Sequence, residues 1–375
     1  MTGEIRICVV GLRGMPGVMG GVESHCEQLY PHIARAADMR IVVFARRPYM
    51  KRRELFTYRG TTVLSIWAFR SKHFEALFHT GWAIILARFR HRPDIVHIHG
   101  VGPGFWSPVA RLLGLKVVVT HHGKDYNREK WNALAKTALQ LGEHLSIRFA
   151  NAIIVVNREL SQQLRALSPQ IATKISYIPN GADHLDALAG EADRSDSPLA
   201  QLGLSPQKYV LAVGRLTPEK GFQDLLEAHA LSGMKEYPLV IVGDADRADA
   251  FSKELLDHRS DGVVFAGFQP QSALRTLYRN AALFVSPSHH EGNPIVALEA
   301  ISQGAPVLLS DIGPHRELGL SPDHYFPASD IEALARKLML PPDRYRCDPE
   351  PVMERFNWPA AARETERLYR SLAPG

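Results

Sequence analysis

The segment 288–307 holds the residue types best suited to chemistry, because it places two carboxylates, Glu291 and Glu299, eight positions apart. Ionised carboxylates accept hydrogen bonds from hydroxyl groups and can also take part in acid–base chemistry. A glycosidase would need its two carboxylates to face each other across one bond. An ordinary helix with one buried and one exposed glutamate is the competing interpretation.

The residues between the two glutamates have the composition of a helix start. Asn293 is suited to the N-cap and Pro294 to the first helical position. This boundary leaves the first glutamate in a loop and the second two turns into the helix, which suits contacts along one long ligand. The free N–H groups of Ile295 and Val296 would point out of the helix start and favour a phosphate. A phosphate site beside hydroxyl acceptors matches the needs of a sugar nucleotide.

A glycine-rich stretch, residues 11–21, follows the first predicted strand. Glycines let a backbone approach a ligand closely, and a helix beginning near Gly20 and Gly21 could direct its N–H groups at a phosphate. The stretch is too long to be the GxGxxG fingerprint of a dinucleotide site. A glycine-rich turn without a ligand is the alternative.

A histidine, His121, directly follows the predicted strand 116–120. A histidine at the end of a strand could contact a sugar hydroxyl or the reacting centre. A histidine bonded to a neighbouring loop explains the same pattern equally well, so both interpretations stay open.

Two basic residues, Arg215 and Lys220, flank a turn that lies between a predicted strand and a predicted helix. Arginine can bind phosphate oxygens through two parallel hydrogen bonds, and lysine supplies a point charge. A diphosphate leaving group gains negative charge as its bond breaks, so this pair could stabilise it in the transition state.

Short hydrophobic runs alternate with helix-length amphipathic segments along the whole chain, which is typical of parallel sheets covered by helices. The first half contains predicted strands at 5–10, 40–44, 62–65, 95–99, 116–120, 152–156 and 174–178. The second half contains predicted strands at 209–213, 239–242, 263–266, 283–286 and 307–310. Predicted helices in that half cover 221–232, 247–258, 271–279, 294–303 and 357–371.

The pattern predicts two Rossmann-like units in tandem. Residues 1–181 form the first and residues 206–356 the second, and the polar stretch 182–205 is interpreted as the linker. Residues 357–375 form a final helix. Ligands of such sheets bind outside the carboxyl ends of the strands, so a cleft between the two domains is the expected place for the site.

The composition and the cysteine pattern argue against a disordered chain and against a zinc-binding protein. The 375 residues are 45% hydrophobic and 22% charged, which indicates a folded chain with a sizeable core. Three cysteines (Cys8, Cys26 and Cys347) form no metal-ligand motif, so we expect a reducing compartment and no structural zinc. We expect neither a secretory signal nor a transmembrane helix.

The charge is distributed unevenly along the chain. Residues 1–180 contain 25 Lys and Arg against 11 Asp and Glu, a net charge of +14, and the remainder carries a net charge of −9. The basic run 46–53 and the aromatic, basic segment 69–92 suggest docking on an anionic membrane. Packing of 76–89 on the sheet and a solvated basic surface are the alternatives. No nucleic-acid recognition motif accompanies the charge.

Taken together, these motifs resemble the family 4 retaining glycosyltransferases of the GT-B fold. The resemblance covers most of the chain in the family's order, through Gly20-Gly21, Pro179-Asn180-Gly181, Gly214-Arg215 with Lys220-Gly221, Glu291-Gly292 with Glu299-Ala300, and Gly304 to Val307. The segments 11–30, 101–104 and 121–124 are similar to a bacterial subgroup that builds exopolysaccharide or lipopolysaccharide. The family's fold is α/β, with two Rossmann-like domains whose parallel sheets face each other across a cleft.

The resemblance implies roles for the residues of the second domain. Arg215 and Lys220 would hold the donor diphosphate, and Glu299 would bind the ribose of the nucleotide. Glu291 would bind hydroxyls of the donor sugar. Backbone amides near it would assist, and these belong to Gly292, Asn293, Ile295 and Val296.

The resemblance also implies roles outside that segment. Gly20 and Gly21 would approach the phosphates or the acceptor, and His121 would lie near the anomeric carbon. Gly267 and Phe268 would meet the base. No metal site and no cofactor are implied, and the final helix would cross back onto the first domain.

The implied reaction is transfer of a sugar, with retention of configuration, from a nucleoside diphosphate sugar to a glycan or lipid-diphosphate-linked acceptor. UDP is favoured over GDP. The protein would then be cytoplasmic and would contact the inner membrane peripherally. A sugar-nucleotide epimerase of the same architecture and a catalytically silent nucleotide- or glycan-binding protein are the alternatives, and a nucleic-acid partner is not expected.

Overall fold

A computed structural model describes residues 4–69, 75–124, 126, 133–188, 198–245, 250–257 and 262–373. The chain divides into two compact units, one made of Met1–Asn180 with Trp358–Gly375 and the other of Gly181–Asn357. The predicted helix 247–258 lies partly outside the described residues, as does part of the aromatic segment 69–92.

Strands and helices alternate along the described chain. The strands are β1 (Ile5–Val10), β2 (Met39–Arg46), β3 (Phe56–Tyr58), β4 (Thr61–Ile66), β5 (Ile95–His99), β6 (Lys116–His121), β7 (Ala152–Val155), β8 (Ile175–Tyr177), β9 (Val210–Val213), β10 (Leu239–Val242), β11 (Val263–Gly267), β12 (Leu283–Ser286), β13 (Val307–Ser310) and β14 (Tyr325–Phe326). The helices are α1 (Gly21–Ile33), α2 (Glu75–Leu86), α3 (Ser107–Leu112), α4 (Ala133–Phe149), α5 (Arg158–Arg165), α6 (Pro169–Ala172), α7 (Pro198–Gln201), α8 (Phe222–Ser232), α9 (Ala250–Asp257), α10 (Gln271–Asn280), α11 (Ile295–Ser302), α12 (Gly313–Arg316), α13 (Ile331–Leu338), α14 (Glu350–Met353) and α15 (Trp358–Leu372).

The first unit is built on an eight-stranded sheet in the order β3-β4-β2-β1-β5-β6-β7-β8. Its strands pair in parallel except β3, which runs antiparallel to β4 at the edge. The central strands are apolar and buried, as expected for a parallel sheet with helices on both faces.

Each face of the first sheet is covered by its own hydrophobic cluster. On one face, Tyr30 of α1 packs with Trp358 and Tyr369 of α15, so the last helix belongs to this unit. On the other face, Ala83 and Ile84 of α2 pack against the sheet. Both clusters bury large side chains, which supplies the main driving force for folding of the unit.

The second unit is built on a six-stranded, fully parallel sheet in the order β11-β10-β9-β12-β13-β14. The strand order of this sheet is that of the Rossmann fold, and the parallel strands of the first sheet follow the same order. The chain reverses direction across the sheet between β1 and β5 in one unit and between β9 and β12 in the other. Ligands of such sheets bind beyond the carboxyl ends of the strands at these reversal points.

Three predictions about the elements differ from the structure. Strands β3 and β14 were not predicted, because with only three and two residues they have too little hydrophobic pattern to recognise. The stretch 182–205 is not a separate linker where it is described, since Ala182, Leu185, Leu199 and Leu204 lie in the core of the second unit. Helix α11 begins at Ile295, one residue later than predicted.

Candidate active site

The loops that follow β9 and β12 leave the second sheet side by side, because these two strands pair in parallel. The loops approach closely: a Cβ on Gly221 would lie 2.3 Å from the carbonyl oxygen of Pro287. His289 ties them together, since its N–H donates to the Glu219 carbonyl at 2.9 Å and its Nε2 lies 2.6 Å from Asp224 Oδ2. The reversal point of the sheet therefore carries a tightly connected pair of loops.

An ion pair joins the tips of these loops. Lys220 Nζ donates to Glu291 Oε1 at 2.5 Å, and Ser288 Oγ donates to the same oxygen at 2.8 Å. The side chain of Glu291 is only 10% exposed. Burial is the largest single influence and raises the pKa of this carboxyl, but the charges of Lys220 and His315 and the hydrogen bonds from Lys220 and Ser288 together outweigh it, so the net pKa is lowered. Glu291 is therefore an ionised acceptor held in a fixed position.

Arg215 lies on the loop after β9, five positions before Lys220, and is partly buried. The turn between them is a short 3-10 helix, Pro218–Lys220, which ends at Gly221 with a φ of 65°. The structure therefore brings Lys220 and Glu291 into contact and keeps Arg215 on the same loop as Lys220.

Glu299 lies inside α11, where it is 7% exposed. Tyr278 donates its hydroxyl to Oε2 at 3.0 Å, and His184 Nε2 lies 3.1 Å from Oε1. Burial, and after it the charge of Glu299, raises the pKa of Tyr278 well above its usual value. Tyr278 and His184 were not predicted as site residues, because neither lies in a recognisable motif.

The start of α11 differs from the prediction. Pro294, not Asn293, occupies the N-cap, and no side chain caps the helix. The N–H of Ile295 already donates to the carbonyl of Asn293 at 3.0 Å, so it is not available for a phosphate. Proline at the cap shifts the first helical turn by one residue, and Gly292 and Val296 are partly exposed residues of the segment.

Gly267 and Phe268 lie at the carboxyl end of β11, two strands away from β9. Gly267 has a φ of 64°, a conformation that favours glycine, and Phe268 is exposed. The N–H of Gly243, after β10, donates to the Gly267 carbonyl at 2.9 Å. The ends of β9, β10 and β11 thus form one continuous edge on which an exposed aromatic ring is presented.

In the first unit, Gly20 and Gly21 lie at the start of α1, as predicted, with Gly20 at a φ of 145°. Glu23 occupies the first turn of this helix, is buried, and accepts the N–H of Arg13 at 3.0 Å. A carboxylate at this helix start competes with a bound anion for the same N–H dipoles. The sequence analysis did not consider Glu23, although acidic residues are common in a first helical turn.

His121 is bonded within the first unit, including to the loop that follows it, which is one of the two interpretations that the sequence analysis left open. It is the last residue of β6, is 2% exposed, and its Nε2 lies 2.7 Å from Glu143 Oε1. Its Nδ1 accepts the N–H of Gly123 at 3.2 Å, so both ring nitrogens are engaged within the unit. Side chains alternate across a strand, and the next residue, His122, therefore points to the opposite face and is partly exposed.

Comparisons with known proteins agree with this architecture. The protein family described as "Glycosyltransferase Family 4" matches this chain over residues 19–184. The family described as "Glycosyl transferases group 1" matches it over residues 199–340. These two parallel-sheet α/β units define a glycosyltransferase of the GT-B fold. The chain belongs to the group 1 and family 4 glycosyltransferases, which confirms the predicted family and fold.

Relatives of this chain include bacterial glycosyltransferases. Over 225 residues, this chain is 28% identical to a Bacillus subtilis protein described as a teichuronic acid biosynthesis glycosyltransferase, TuaC. The matched segment covers 59% of this chain and 54% of that relative's length. It is 26% identical over 283 residues to a GDP-mannose:cellobiosyl-diphosphopolyprenol alpha-mannosyltransferase of Xanthomonas campestris, which covers 71% of this chain and 70% of the relative.

Solved structures show the same fold along nearly the whole chain. Sucrose-phosphate synthase from Thermosynechococcus elongatus superposes with a TM-score of 0.81 at 22% identity, covering 98% of this chain and 99% of the other. Anabaena Alr3699/HepE in complex with UDP and glucose superposes with a TM-score of 0.72 at 18% identity, covering 98% of this chain and 100% of the other.

Proposed function

We propose that this glycosyltransferase moves a sugar from a nucleoside diphosphate sugar, with UDP favoured over GDP, to a glycan or lipid-linked acceptor in bacterial surface polysaccharide synthesis. We further propose that the transfer retains the anomeric configuration and needs no metal. The observation that carries the proposal is the Lys220–Glu291 ion pair at the β9/β12 reversal point.

In this proposal, the phosphate end of the sugar–phosphate bond binds beside Lys220 and the sugar end beside Glu291. Lys220 has further N–H donors for phosphate oxygens, and Arg215 on the same loop supplies a second cation. The hydrogen bonds from Lys220 and Ser288 to Glu291 both use Oε1, so Oε2 can accept a sugar hydroxyl. Because the Glu291 pKa is lowered, the carboxylate is charged at neutral pH and suits an acceptor better than a proton donor.

The nucleotide would extend from this point along α11 and the strand ends. Tyr278 and His184 hold the two oxygens of Glu299, and each carboxylate oxygen can accept more than one hydrogen bond. A ribose hydroxyl can therefore bind to Glu299 without breaking either contact. Gly267 and Phe268 offer a turn and an exposed ring for the base.

In the proposed reaction the acceptor oxygen forms a bond to the anomeric carbon on the face from which the diphosphate departs. The bond between that carbon and the phosphate oxygen breaks, and the departing phosphate oxygen takes the proton of the acceptor hydroxyl. No protein base is needed for this transfer. Arg215 and Lys220 stabilise the negative charge of the leaving diphosphate, and this is the role that a metal ion would otherwise have.

A donor panel tests the proposal. The purified protein is incubated with UDP- and GDP-sugars and a bacterial membrane lipid extract, and release of nucleoside diphosphate is followed with and without EDTA. We expect release from one donor, dependent on the extract and unaffected by EDTA, and a product whose anomeric configuration matches the donor. Conversion of a donor to its epimer without the extract would indicate the epimerase instead, and binding without turnover would indicate the silent binding protein.

An exposed aromatic face on α2 supports docking of the first unit on a membrane. Phe78, Trp82 and Ile85 of α2 are exposed at a spacing that places them on one side of the helix. Phe89, in the π-helical turn Ala87–His91 that follows α2, is 69% exposed. Residues on the other side of α2 pack on the sheet, so the helix both joins the core and presents an apolar surface. Among the described residues, no helix is long and apolar enough to cross a bilayer.

We propose that this face enters the headgroup region of an anionic membrane, where the lipid-linked acceptor lies. Arg90 and Arg92, which follow Phe89 in the chain, are exposed, and Arg52 and Arg53 of the basic run are exposed too. Buried apolar area and attraction to anionic lipids both contribute to binding of such a surface.

Liposome flotation separates these contributions. We expect the protein to float with vesicles containing phosphatidylglycerol and to be largely lost from them in the Arg52/Arg53→Glu or Trp82/Phe89→Ala variants. The Leu231→Ala variant, which changes an exposed apolar residue of the second unit, serves as the control. Equal flotation of all variants, or none by the unmodified protein, would contradict membrane docking without affecting the proposal on the donor site.

A further inference from the structure

A cluster of four polar side chains lies behind the Glu291 loop of the second unit. Ser286 ends β12, Ser288 follows it, Ser310 ends β13 and His315 belongs to α12. All four are at most 4% exposed. Buried polar groups are costly unless their hydrogen bonds are satisfied, so the partners of each member show what the cluster holds in place. It was not predicted, because its members come from three separate elements.

The contacts of His315 determine which of its ring nitrogens carries a hydrogen. Its Nδ1 lies 2.8 Å from the carbonyl oxygen of Ser310, and a carbonyl oxygen only accepts hydrogen bonds, so Nδ1 is the donor. Burial lowers the pKa of His315 to about 4, so the imidazole is neutral at physiological pH and Nε2 holds a lone pair. The hydroxyl of Ser286, at 3.3 Å, therefore donates to Nε2.

The hydroxyl of Ser310 connects His315 to the Glu291 loop. Ser310 Oγ lies 3.1 Å from His315 Nδ1, whose hydrogen the hydroxyl and carbonyl oxygens of Ser310 share. The hydroxyl in turn donates to the carbonyl oxygen of Ser288 at 2.6 Å. The hydroxyl of Ser288 then donates to Glu291 Oε1 at 2.8 Å. Every donor on this path points the same way, from the histidine to the carboxylate, so no hydrogen has to serve two conflicting bonds.

We infer that Ser310 and His315 are positioning residues for Glu291, and that they act through Ser288 rather than on the substrate. The inference rests on the proposed role of Glu291 in the donor site. Lys220 reaches Oε1 from the β9 loop, and Ser288 reaches the same oxygen from within the Glu291 segment. Because two donors hold one oxygen, the direction of Oε2, the proposed acceptor of a sugar hydroxyl, is fixed as well.

The bond from Ser310 anchors the loop where its support from the sheet ends. Residues 287–294 join β12 to α11, and the last pairing of β12 with β13 is that of Ser286 with Leu309. Ser288 lies beyond that pairing and is buried, so loss of the Ser310 hydroxyl would remove the donor of a buried carbonyl. A displacement of about 1 Å at a group that positions a substrate can lower a rate by about a hundredfold.

NMR of the Glu291 carboxyl tests the inference without any sugar donor. The full chain is labelled with ¹³C at the δ-carbons of its glutamates, and the Glu291 signal is identified by its loss in Glu291→Gln. Ser310→Ala leaves in place the charged groups that act on this carboxyl, Lys220 and His315. We expect the pKa of Glu291 to rise in Ser310→Ala, because the hydroxyl of Ser288 no longer holds a fixed position and donates less well to the charged form.

Release of nucleoside diphosphate, with the donor that the panel identifies, is the second readout. Ser310→Ala should lower release by about three- to tenfold, the usual effect of losing one hydrogen bond, and should leave the affinity for free UDP or GDP unchanged in calorimetry. In the Glu291→Ala background it should have no further effect, because the group it positions is absent. His315→Asn keeps a side-chain donor near the position of Nδ1 and should retain more activity than His315→Leu. Ser252→Ala, which removes a buried serine hydroxyl of α9, is the control for both readouts.

Two results would overturn the inference. One is a titration of Glu291 in Ser310→Ala that matches the unmodified protein. The other is an equal fractional loss of release from Ser310→Ala with and without Glu291, which would mean that Ser310 acts through stability alone. Circular dichroism of each variant verifies that the second unit is folded. The NMR readout requires no transfer, so silence of every donor in the panel would contradict the proposed function and leave this test in force.

Discussion

At the scale of single residues, the proposed site depends on two glutamates with different partners: Glu291, which is partly buried, and Glu299, which is buried. Glu291 is held by a cation from the neighbouring loop, and Glu299 by a tyrosine hydroxyl and a histidine. The first arrangement is suited to a group whose charge changes during a reaction. The second is suited to fixing the position of a neutral hydroxyl.

The Glu291→Ala variant should separate catalysis from binding. We expect nucleoside diphosphate release to fall by roughly 10- to 100-fold, because a hydrogen bond to a charged group contributes about 1.5–3 kcal/mol. Affinity for the free nucleoside diphosphate, measured by calorimetry, should change little. Glu236→Ala, at an exposed position in the same unit, is the control. Turnover near that of the unmodified protein would remove Glu291 from the proposed site.

The Glu299→Ala variant should weaken nucleotide binding by about tenfold, because it removes the proposed acceptor of the ribose hydroxyl. It should also lower the free energy of unfolding by roughly 1–3 kcal/mol, because it leaves the buried Tyr278 hydroxyl without its acceptor. Adding Tyr278→Phe removes the stranded hydroxyl, so the double variant should regain part of the stability but none of the affinity. Urea unfolding and calorimetry measure the two effects. Recovery of both together would show that Glu299 acts only through stability.

A buried histidine beside the ion pair makes the second unit sensitive to acid. Burial lowers the pKa of His315 to about 4, with Glu291 raising it and Lys220 lowering it to smaller extents. The unfolded chain therefore binds a proton between pH 6.5 and 4 that the folded chain does not, and stability falls as the pH falls through this window. Urea unfolding by far-UV circular dichroism should show a shallower pH dependence in His315→Gln. An unchanged slope would assign the acid sensitivity to other groups.

At the scale of elements, the β9 loop depends on Gly221, where a side chain would force the neighbouring loop to move. Gly221 and Gly233 have nearly the same φ, 65° and 66°, but a Cβ on Gly221 would meet the Pro287 carbonyl oxygen at 2.3 Å, whereas Gly233 has nothing within 4 Å. An alanine at either position would therefore have the same backbone strain. Only at Gly221 would its Cβ also clash with the neighbouring loop.

We expect Gly233→Ala to cost about 1 kcal/mol of stability from the left-handed conformation alone. Gly221→Ala should cost more, and it should also reduce transfer, because the displaced loop separates Lys220 from Glu291. Thermal unfolding and nucleoside diphosphate release measure both variants. Equal effects of the two substitutions on stability and turnover would mean that the contact between the loops does not position the ion pair.

At the scale of the whole molecule, the chain leaves the first unit at residue 180 and returns to it at 358. The returning helix supplies Trp358 and Tyr369 to the core around Tyr30. All five tryptophans, at positions 67, 82, 106, 131 and 358, belong to this unit by sequence position, so tryptophan fluorescence reports its unfolding alone.

The Trp358→Ala variant should lower the stability of the first unit by about 3–5 kcal/mol, the usual cost of truncating a large buried aromatic residue. The fluorescence of the remaining tryptophans should report unfolding at a lower urea concentration. The part of the circular dichroism signal that comes from the second unit should unfold at an unchanged urea concentration. Trp67→Ala, at an exposed position, is the matched control. A simultaneous shift of both signals would show that the two units unfold together.

The sequence by itself determined the elements and the local motifs, because hydrophobic periodicity, glycine turns and a proline at a helix start depend on neighbouring residues. It was enough to predict most strands, the Rossmann-like repetition, and the loops that carry Lys220 and Glu291. It did not determine the short edge strands, since these are defined by pairing with a distant strand rather than by their own composition.

The tertiary structure alone decided which side chains meet. Lys220 and Glu291 are 71 positions apart, and only the pairing of β9 with β12 brings them into contact. The alternation of side chains at the end of β6 decided that His121 is buried against Glu143 while His122 joins His25 and His99. Such contacts depend on strand order and register, which arise from packing of the whole chain and leave no local pattern in the sequence.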